Sequence, residues 1–140
     1  MTQSARNEVR SANAAFYAAF RNADIETMEE LWSRRDEISV FHPNAKGIEG
    51  RNAVMRSWRA ILVEGSPPDI AQVELAVILS GKTAMVICEE ILGTVRMIAT
   101  NIFANEGGVW RLVHHQATRL PATPDTGPQT DAGKGRGETG

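Results

Sequence analysis

The sequence of 140 residues lacks several features that mark common classes of protein. It has one cysteine, Cys88, so no disulfide can form within the chain, and the apolar stretch around Cys88 favours a packed core position. No apolar run approaches the roughly 20 residues that a membrane-spanning helix needs, and the polar N-terminus has no signal-peptide core. These absences predict a cytoplasmic protein without a membrane partner.

An excess of charge of one sign is also lacking. The chain has 15 lysines and arginines against 17 aspartates and glutamates, which gives a formal net charge of -2. Domains that bind nucleic acid ordinarily carry a basic surplus, so we expect no nucleic-acid partner. Three histidines without paired cysteines or a nearby carboxylate triad do not indicate a metal site. We therefore expect neither a metal nor another cofactor.

The composition divides the chain into one domain and a tail. The hydrophobic content of 42% is sufficient for a single core, which we assign to residues 1–120. Residues 121–140 are dominated by proline, glycine, threonine and charged residues, and they include no large apolar residue. Such a segment cannot bury enough apolar surface to offset its ordering entropy, so we predict a disordered tail.

The hydrophobic pattern changes once along the domain, from helical spacing to strand-like alternation. Helical spacing predicts a first helix that buries Val9, Ala12, Phe16 and Phe20, a second helix that Asp24 caps, and a third over 54–62. The predicted strands are 38–41, 73–79, 83–92, 96–105 and 109–118, with a loop at 47–50. Three helices before a long antiparallel sheet predict an α+β domain, in which a curved sheet leaves a cone-shaped pocket.

The predicted C-terminal hairpin contains two adjacent histidines. A Gly107-Gly108 turn separates 100–103 from 110–118, and His114 and His115 must point to opposite faces of the second strand. One histidine therefore faces inward, where a buried imidazole needs a hydrogen-bond partner. The alternation alone does not decide which of the two it is.

The ordered combination of segments resembles the SnoaL-like superfamily. The resemblance covers about residues 5 to 119, and its marks are Asp24-Ile25-Glu26 at the start of the second helix, Phe41-His42-Pro43, the Gly50 loop before the helix with Trp58, and 110–118. This group shares its fold with nuclear transport factor 2, ketosteroid isomerase, polyketide cyclases and the association domain of calcium/calmodulin-dependent kinase. The resemblance implies a cone-shaped half-barrel, with three N-terminal helices packed on a curved antiparallel sheet.

The resemblance also implies that the ketosteroid isomerase catalytic set is absent. The tyrosine that donates to the enolate oxygen falls on Phe16, and its two supporting tyrosines fall on Trp32 and Trp58. The carboxylate base falls on His42, and 96–105 contains no Asp or Glu for its acidic partner. Each oxyanion donor is typically worth about 3 to 4 kcal/mol, so we expect no orthodox ketosteroid isomerase chemistry.

By the same resemblance, one face of the hairpin looks into the cone and leaves His114 outside. The pocket arginines of the kinase association domain fall on Asn101 and Ala117, with a third close to Glu90. This neutral-to-acidic pocket is expected to favour neutral or weakly polar ligands over carboxylates. The residues predicted to line it are Phe16, Phe20, Trp32, Trp58, Asn101, Phe103 and Val113.

Three residues are candidates for acid–base catalysis: His42, His115 and Glu90. His42 before Pro43 can equally well only end a strand, and a strand sends one of the adjacent Glu89 and Glu90 outward. The aromatic residues that we assign to the pocket can also serve core packing alone.

Two classes of function fit the sequence. The first is a protein with a pocket for a small apolar molecule, with isomerase-, cyclase- or dehydratase-type chemistry. The second is a non-catalytic dimerisation or assembly module. In either case the strands from residue 70 to 118 carry apolar residues on both faces, so we expect a homodimer through the outer face of the sheet.

Overall fold

The computed structural model describes residues 2–66 and 68–122, so most of the predicted tail, 123–140, lies outside the described residues. The helices are α1 (Thr2–Arg21), α2 (Ile25–Leu31) and α3 (Arg51–Arg59), and a π-helical turn (Ala60–Glu64) continues α3. The strands are β1 (Ser39–Phe41), β2 (Ile48–Glu49), β3 (Ile70–Ser80), β4 (Thr83–Leu92), β5 (Val95–Glu106) and β6 (Val109–Arg119). The predicted α+β architecture is confirmed, with the helices on one face of a curved sheet.

The six strands form one sheet in the order β2-β1-β6-β5-β4-β3. Strands β3 to β6 are an antiparallel meander, whereas β1 joins β6 in parallel. The loop predicted at 47–50 is wrong in part, because Ile48 and Glu49 form the edge strand β2. These two residues pair with Val40 and Ser39, which would otherwise leave unpaired backbone groups at the sheet edge.

The start of α2 is set as predicted. The carboxylate of Asp24 accepts hydrogen bonds from the backbone nitrogen of Thr27 at 3.2 Å and from its hydroxyl at 2.7 Å. An N-cap of this kind satisfies a backbone donor that has no partner within the helix. The resulting turn places Met28 in the core and fixes the direction in which the chain leaves α1.

The buried face of α1 differs from the predicted one. Ala12 is only partly buried, and the core side of the helix is formed by Val9, Asn13, Phe16, Tyr17 and Phe20. Residues spaced by three or four lie on one face of a helix, so this set is self-consistent. The consequence is that two polar side chains, those of Asn13 and Tyr17, enter the domain interior.

A β-bulge in the β5–β6 hairpin changes which residues of β6 face inward. His114 lies opposite Ile102, but the next pair is Phe103 with Leu112, so Val113 is the extra residue. One extra residue exchanges the two faces of a strand. Leu112 is therefore fully buried on one side of the bulge and His115 on the other, whereas Val113 is half-buried.

Candidate functional site

A cavity of about 370 Å³ lies between the concave face of the sheet and the segments that follow β1 and α3. This volume lies within the range of about 300 to 1,000 Å³ that is usual for ligand pockets. Its apolar walls include Phe20, Ile61, Ile70, Leu92, Val95 and Met97. Its ionisable lining residues are His42, Glu90, His115 and Arg119.

The strand register explains how these side chains come together. Residues that lie opposite each other on neighbouring strands share a face, and the inward rows are separated by two residues. Three successive inward rows across β4, β5 and β6 are Glu90–Met97–Arg119, Cys88–Ala99–Ala117 and Val86–Asn101–His115. The first row lies toward the end of the sheet where the cavity opens, and the third lies deeper.

Asn101 determines the proton position on His115. The Asn101 amide nitrogen donates to Asn13 Oδ1 at 2.8 Å and to Tyr17 Oη at 3.1 Å, so its oxygen is the acceptor that faces His115. That oxygen lies 2.5 Å from His115 Nδ1. Nδ1 therefore carries the proton, and the Nε2 atom of neutral His115 is left as a hydrogen-bond acceptor.

Glu90 is a buried carboxyl whose pKa lies near neutrality. Its side chain is 2% exposed, and it accepts a hydrogen bond of 2.6 Å from the hydroxyl of Tyr17. The same carboxyl oxygen lies 3.8 Å from His115 Nε2. Burial raises the pKa of Glu90 to about 7, although the Tyr17 hydrogen bond acts in the opposite direction. The carboxyl can therefore either hold or release a proton at neutral pH.

Both histidines of the cavity are neutral. Burial lowers the pKa of His115 to about 3, with smaller contributions from His42 and His114, and it lowers the pKa of His42 to about 4. The proton of the Glu90–His115 pair thus resides on the carboxyl below about pH 7. The arrangement is a carboxylic acid beside a neutral base rather than an ion pair.

His42 faces the cavity from the segment after β1. Its Nε2 lies 3.2 Å from the hydroxyl of Ser57, which itself donates to the carbonyl of Val54 at 2.8 Å. Because the only hydroxyl proton of Ser57 is used in that bond, His42 Nε2 is the donor and its Nδ1 is the free acceptor. The ring centroids of His42 and His115 are 6.4 Å apart, and the ring of Trp58 packs against both.

Tyr17 is a candidate site residue that the sequence interpretation does not identify. The resemblance implies that the isomerase hydroxyls are absent at Phe16, Trp32 and Trp58, but the adjacent Tyr17 supplies a phenol and is 1% exposed. Burial raises the pKa of Tyr17 far above its ordinary value, so its hydroxyl stays protonated. The signal for it is the four-residue spacing of Val9, Asn13 and Tyr17.

The structure corrects part of the predicted lining. Phe20 lines the cavity together with the three predicted acid–base residues, but the remaining predicted residues do not: Phe16, Trp32, Trp58, Asn101, Phe103 and Val113. Four of these are aromatic core residues at 0 to 1% exposure. Asn101 lies behind His115, and Val113 is displaced from the inner face by the β-bulge. Glu89 points outward as the alternation requires, and it pairs with Arg96.

Three helices on one face of a curved, mostly antiparallel sheet define a domain of the nuclear transport factor 2-like class. The chain belongs to the SnoaL-like domain family, whose sequence profile matches residues 9–123, and the predicted resemblance is thereby confirmed. No curated protein matches the sequence. None of the helices in the described part of the chain is long and apolar enough to cross a membrane.

Two crystal structures resemble the chain at 28% sequence identity. One is provisionally named a calcium/calmodulin-dependent protein kinase type II association domain, from Thiobacillus denitrificans; the match covers 80% of this chain and 94% of that one, with a TM-score of 0.75. The other is provisionally named a dehydratase of the NTF2-like family, from Streptomyces avermitilis; the match covers 87% and 100%, with a TM-score of 0.76.

A third crystal structure, a ketosteroid isomerase-like protein from Erwinia carotovora atroseptica, is 16% identical. The match covers 83% of this chain and 96% of that one, with a TM-score of 0.68. At this identity the likeness concerns the fold alone.

Proposed function

We propose that the protein binds a small, mainly apolar molecule with a carbonyl group in the cone and transfers a proton on it. The observation that carries this proposal is the buried Glu90–His115 pair on the wall of an otherwise apolar cavity. A titratable pair with opposed pKa shifts in a cavity is typical of acid–base sites.

The protonation states suggest a division of roles. Neutral His42, through Nδ1, accepts a proton from the carbon next to the carbonyl, and the protonated carboxyl of Glu90 donates to the oxygen on which charge develops. Tyr17 is a positioning residue, since its hydrogen is already directed at Glu90. General acid–base groups typically accelerate a reaction by about 10² to 10⁴-fold each.

The name of one relative agrees with this chemistry. Dehydration next to a carbonyl begins with the same proton abstraction, and the 28% identical Streptomyces protein is provisionally named a dehydratase. Isomerisation of an unsaturated ketone begins in the same way, so the proposal covers both reactions.

Proton exchange into a simple ketone tests the proposal. We expect the protein to accelerate exchange of the α-protons of 2-tetralone with D₂O, as followed by proton NMR. Glu90→Gln should reduce this acceleration by about 100-fold. The matched control is Glu89→Gln, because Glu89 is adjacent in the chain and faces the outer side; it should leave the exchange rate unchanged.

A different outcome favours the second function. If the wild-type protein neither binds nor exchanges 2-tetralone, and native mass spectrometry of the purified protein detects no small molecule, the proposed function is overturned. The apolar side chains on the outer face of the sheet then support a non-catalytic assembly module, with Val73 and Ile78 about half exposed.

A further inference from the structure

Arg119 is an exposed residue that lines the cavity. Arg119 lies in the same inward row as Glu90 and Met97, with Met97 between them on the central strand. Neighbouring strands are about 4.8 Å apart, so the Cα atoms of Glu90 and Arg119 are about 10 Å apart across this row. The ends of the row therefore hold an acid inside the cavity and a cation at its opening.

Arg119 also borders a second hollow, of about 230 Å³, that adjoins the first cavity. His42, Asn44 and Arg119 are shared by both. The outer hollow has a more polar lining, which includes Gln116 and Thr118. The two pockets therefore meet at Arg119, with the apolar lining on one side and the more polar lining on the other.

The charged side chain of Arg119 has no ion-pair partner within the described part of the chain. Several other arginines, among them Arg10, Arg59 and Arg96, form ion pairs with glutamates. Arg119 makes no side-chain hydrogen bond or ion pair with residues 2–66 or 68–122, although it lines the site. Arg119 is also not among the groups that shift the pKa of Glu90, because burial is the main cause of that shift.

We propose that Arg119 binds the carboxylate of the ligand, so that the ligand class is monocarboxylic acids with an apolar body. This inference rests on the proposed function, since the body occupies the cone next to Glu90 and His115. Arg119 is the single arginine or lysine among the described lining residues of the larger cavity, which suits one negative charge rather than a phosphate dianion. A guanidinium group can bind a carboxylate through two parallel hydrogen bonds, in bidentate geometry.

The proposal departs from the preference for neutral ligands that the sequence predicts. That expectation followed from the positions of the kinase-domain arginines, which Asn101, Ala117 and Glu90 occupy. Arg119 enters the site from a different position, one inward row beyond Ala117 on β6. The cation is therefore at the opening of the cone instead of within it.

A matched pair of probes tests this inference. We expect the wild-type protein to bind 4-phenylbutanoate about tenfold more tightly than 4-phenylbutanamide at pH 6.0 in low salt, measured by isothermal titration calorimetry. At this pH the probe is ionised and Glu90 is mostly protonated. Arg119→Gln should abolish the difference by weakening acid binding alone, and 0.5 M NaCl should reduce it in the wild type.

The control variant is Arg96→Gln, which removes an exposed arginine on the outer face and should keep the tenfold preference. The role of Arg119 is overturned if the wild type binds both probes equally, or if Arg119→Gln keeps the full preference for the acid. In either case, binding of the amide would still agree with the proposed function. Failure of both probes to bind overturns this inference, and absence of Glu90-dependent exchange into 2-tetralone then overturns the proposed function as well.

Discussion

The buried carboxyl of Glu90 makes the stability of the folded domain depend on pH. Its pKa is about 7 in the folded protein against 4.5 ordinarily, so the folded state holds its proton more tightly than the unfolded state does. The contribution of Glu90 to the free energy of unfolding is therefore fully present below pH 4.5, and it is lost as the pH rises to about 7. A shift of this size corresponds to about 3 kcal/mol. The phenol of Tyr17 and the thiol of Cys88 next to it stay protonated throughout this range.

We therefore expect Glu90→Gln to become more stable relative to the wild type between pH 5 and pH 8. The two cavity histidines, His42 and His115, act in the opposite direction, because their lowered pKa values stabilise the fold above pH 6.5 and cease to do so as the pH falls toward 3 to 4. Both proteins share that effect, so it cancels in the difference. Urea denaturation at four pH values measures the difference, and parallel pH profiles would contradict the burial of Glu90.

The hydroxyl of Tyr17 serves two buried partners at once. It donates to Glu90 and accepts from Asn101, so Tyr17→Phe removes the hydrogen bond of Glu90 and leaves Asn13 as the remaining oxygen acceptor of the Asn101 amide nitrogen. We expect a loss of about 1 to 3 kcal/mol in the free energy of unfolding and a further rise in the pKa of Glu90. Carbon NMR of labelled glutamate side chains reports that pKa. An unchanged titration would show that Tyr17 does not position the carboxyl.

At the scale of the elements, local signals predicted the helix start and the hairpin, but not the departures from regular geometry. Asp24 lies directly before an apolar helical pattern, and Gly107 adopts a φ of 65° in the predicted turn, so both are visible in the sequence. The bulge at Val113 is not visible, because it depends on how β5 and β6 pair. Strict alternation therefore placed Val113 on the wrong face.

The candidate site was partly predictable for a similar reason. His42, Glu90 and His115 are polar residues at strand ends or within apolar strands, and such exceptions stand out locally. Tyr17 instead belongs to the site because it contacts Glu90, which is 73 residues away in the sequence. Arg119 belongs to it because the strand register places Arg119 in the same row as Glu90. The helical spacing of Asn13 and Tyr17 marks an inward position, but no local pattern encodes the distant partner of Tyr17 or the row of Arg119.

The cap of α2 offers a direct test of an element. We expect Asp24→Ala to destabilise the protein by about 1 kcal/mol in urea denaturation, because it leaves the backbone donor of Thr27 without its acceptor. Asp24→Asn keeps an oxygen acceptor and should retain most of that stability. Equal losses in the two variants would mean that charge rather than capping is the source of the effect.

At the scale of the whole molecule, the sheet has an apolar row on its outer face. Ile78, Met85 and Ile102 lie opposite each other on β3, β4 and β5, and His114 continues the row on β6. Ile78 is 48% exposed in the monomer. Within residues 2–66 and 68–122 the helices pack on the inner face alone, so a second copy of the chain is the partner that we propose for this row, in a two-fold symmetric contact.

We expect light scattering to give twice the chain mass for the wild type at micromolar concentration and the monomer mass for Ile78→Glu, because the dimer would bury an unpaired charge. The control is Val63→Glu, since Val63 is 60% exposed but lies in the turn after α3; this variant should remain a dimer. A monomeric wild type contradicts the proposal.

The cavity lies on the opposite face of the sheet, so monomeric Ile78→Glu should still exchange the protons of 2-tetralone. Retained exchange would place the chemistry within one chain, whereas its loss on dissociation would tie the site to the dimer.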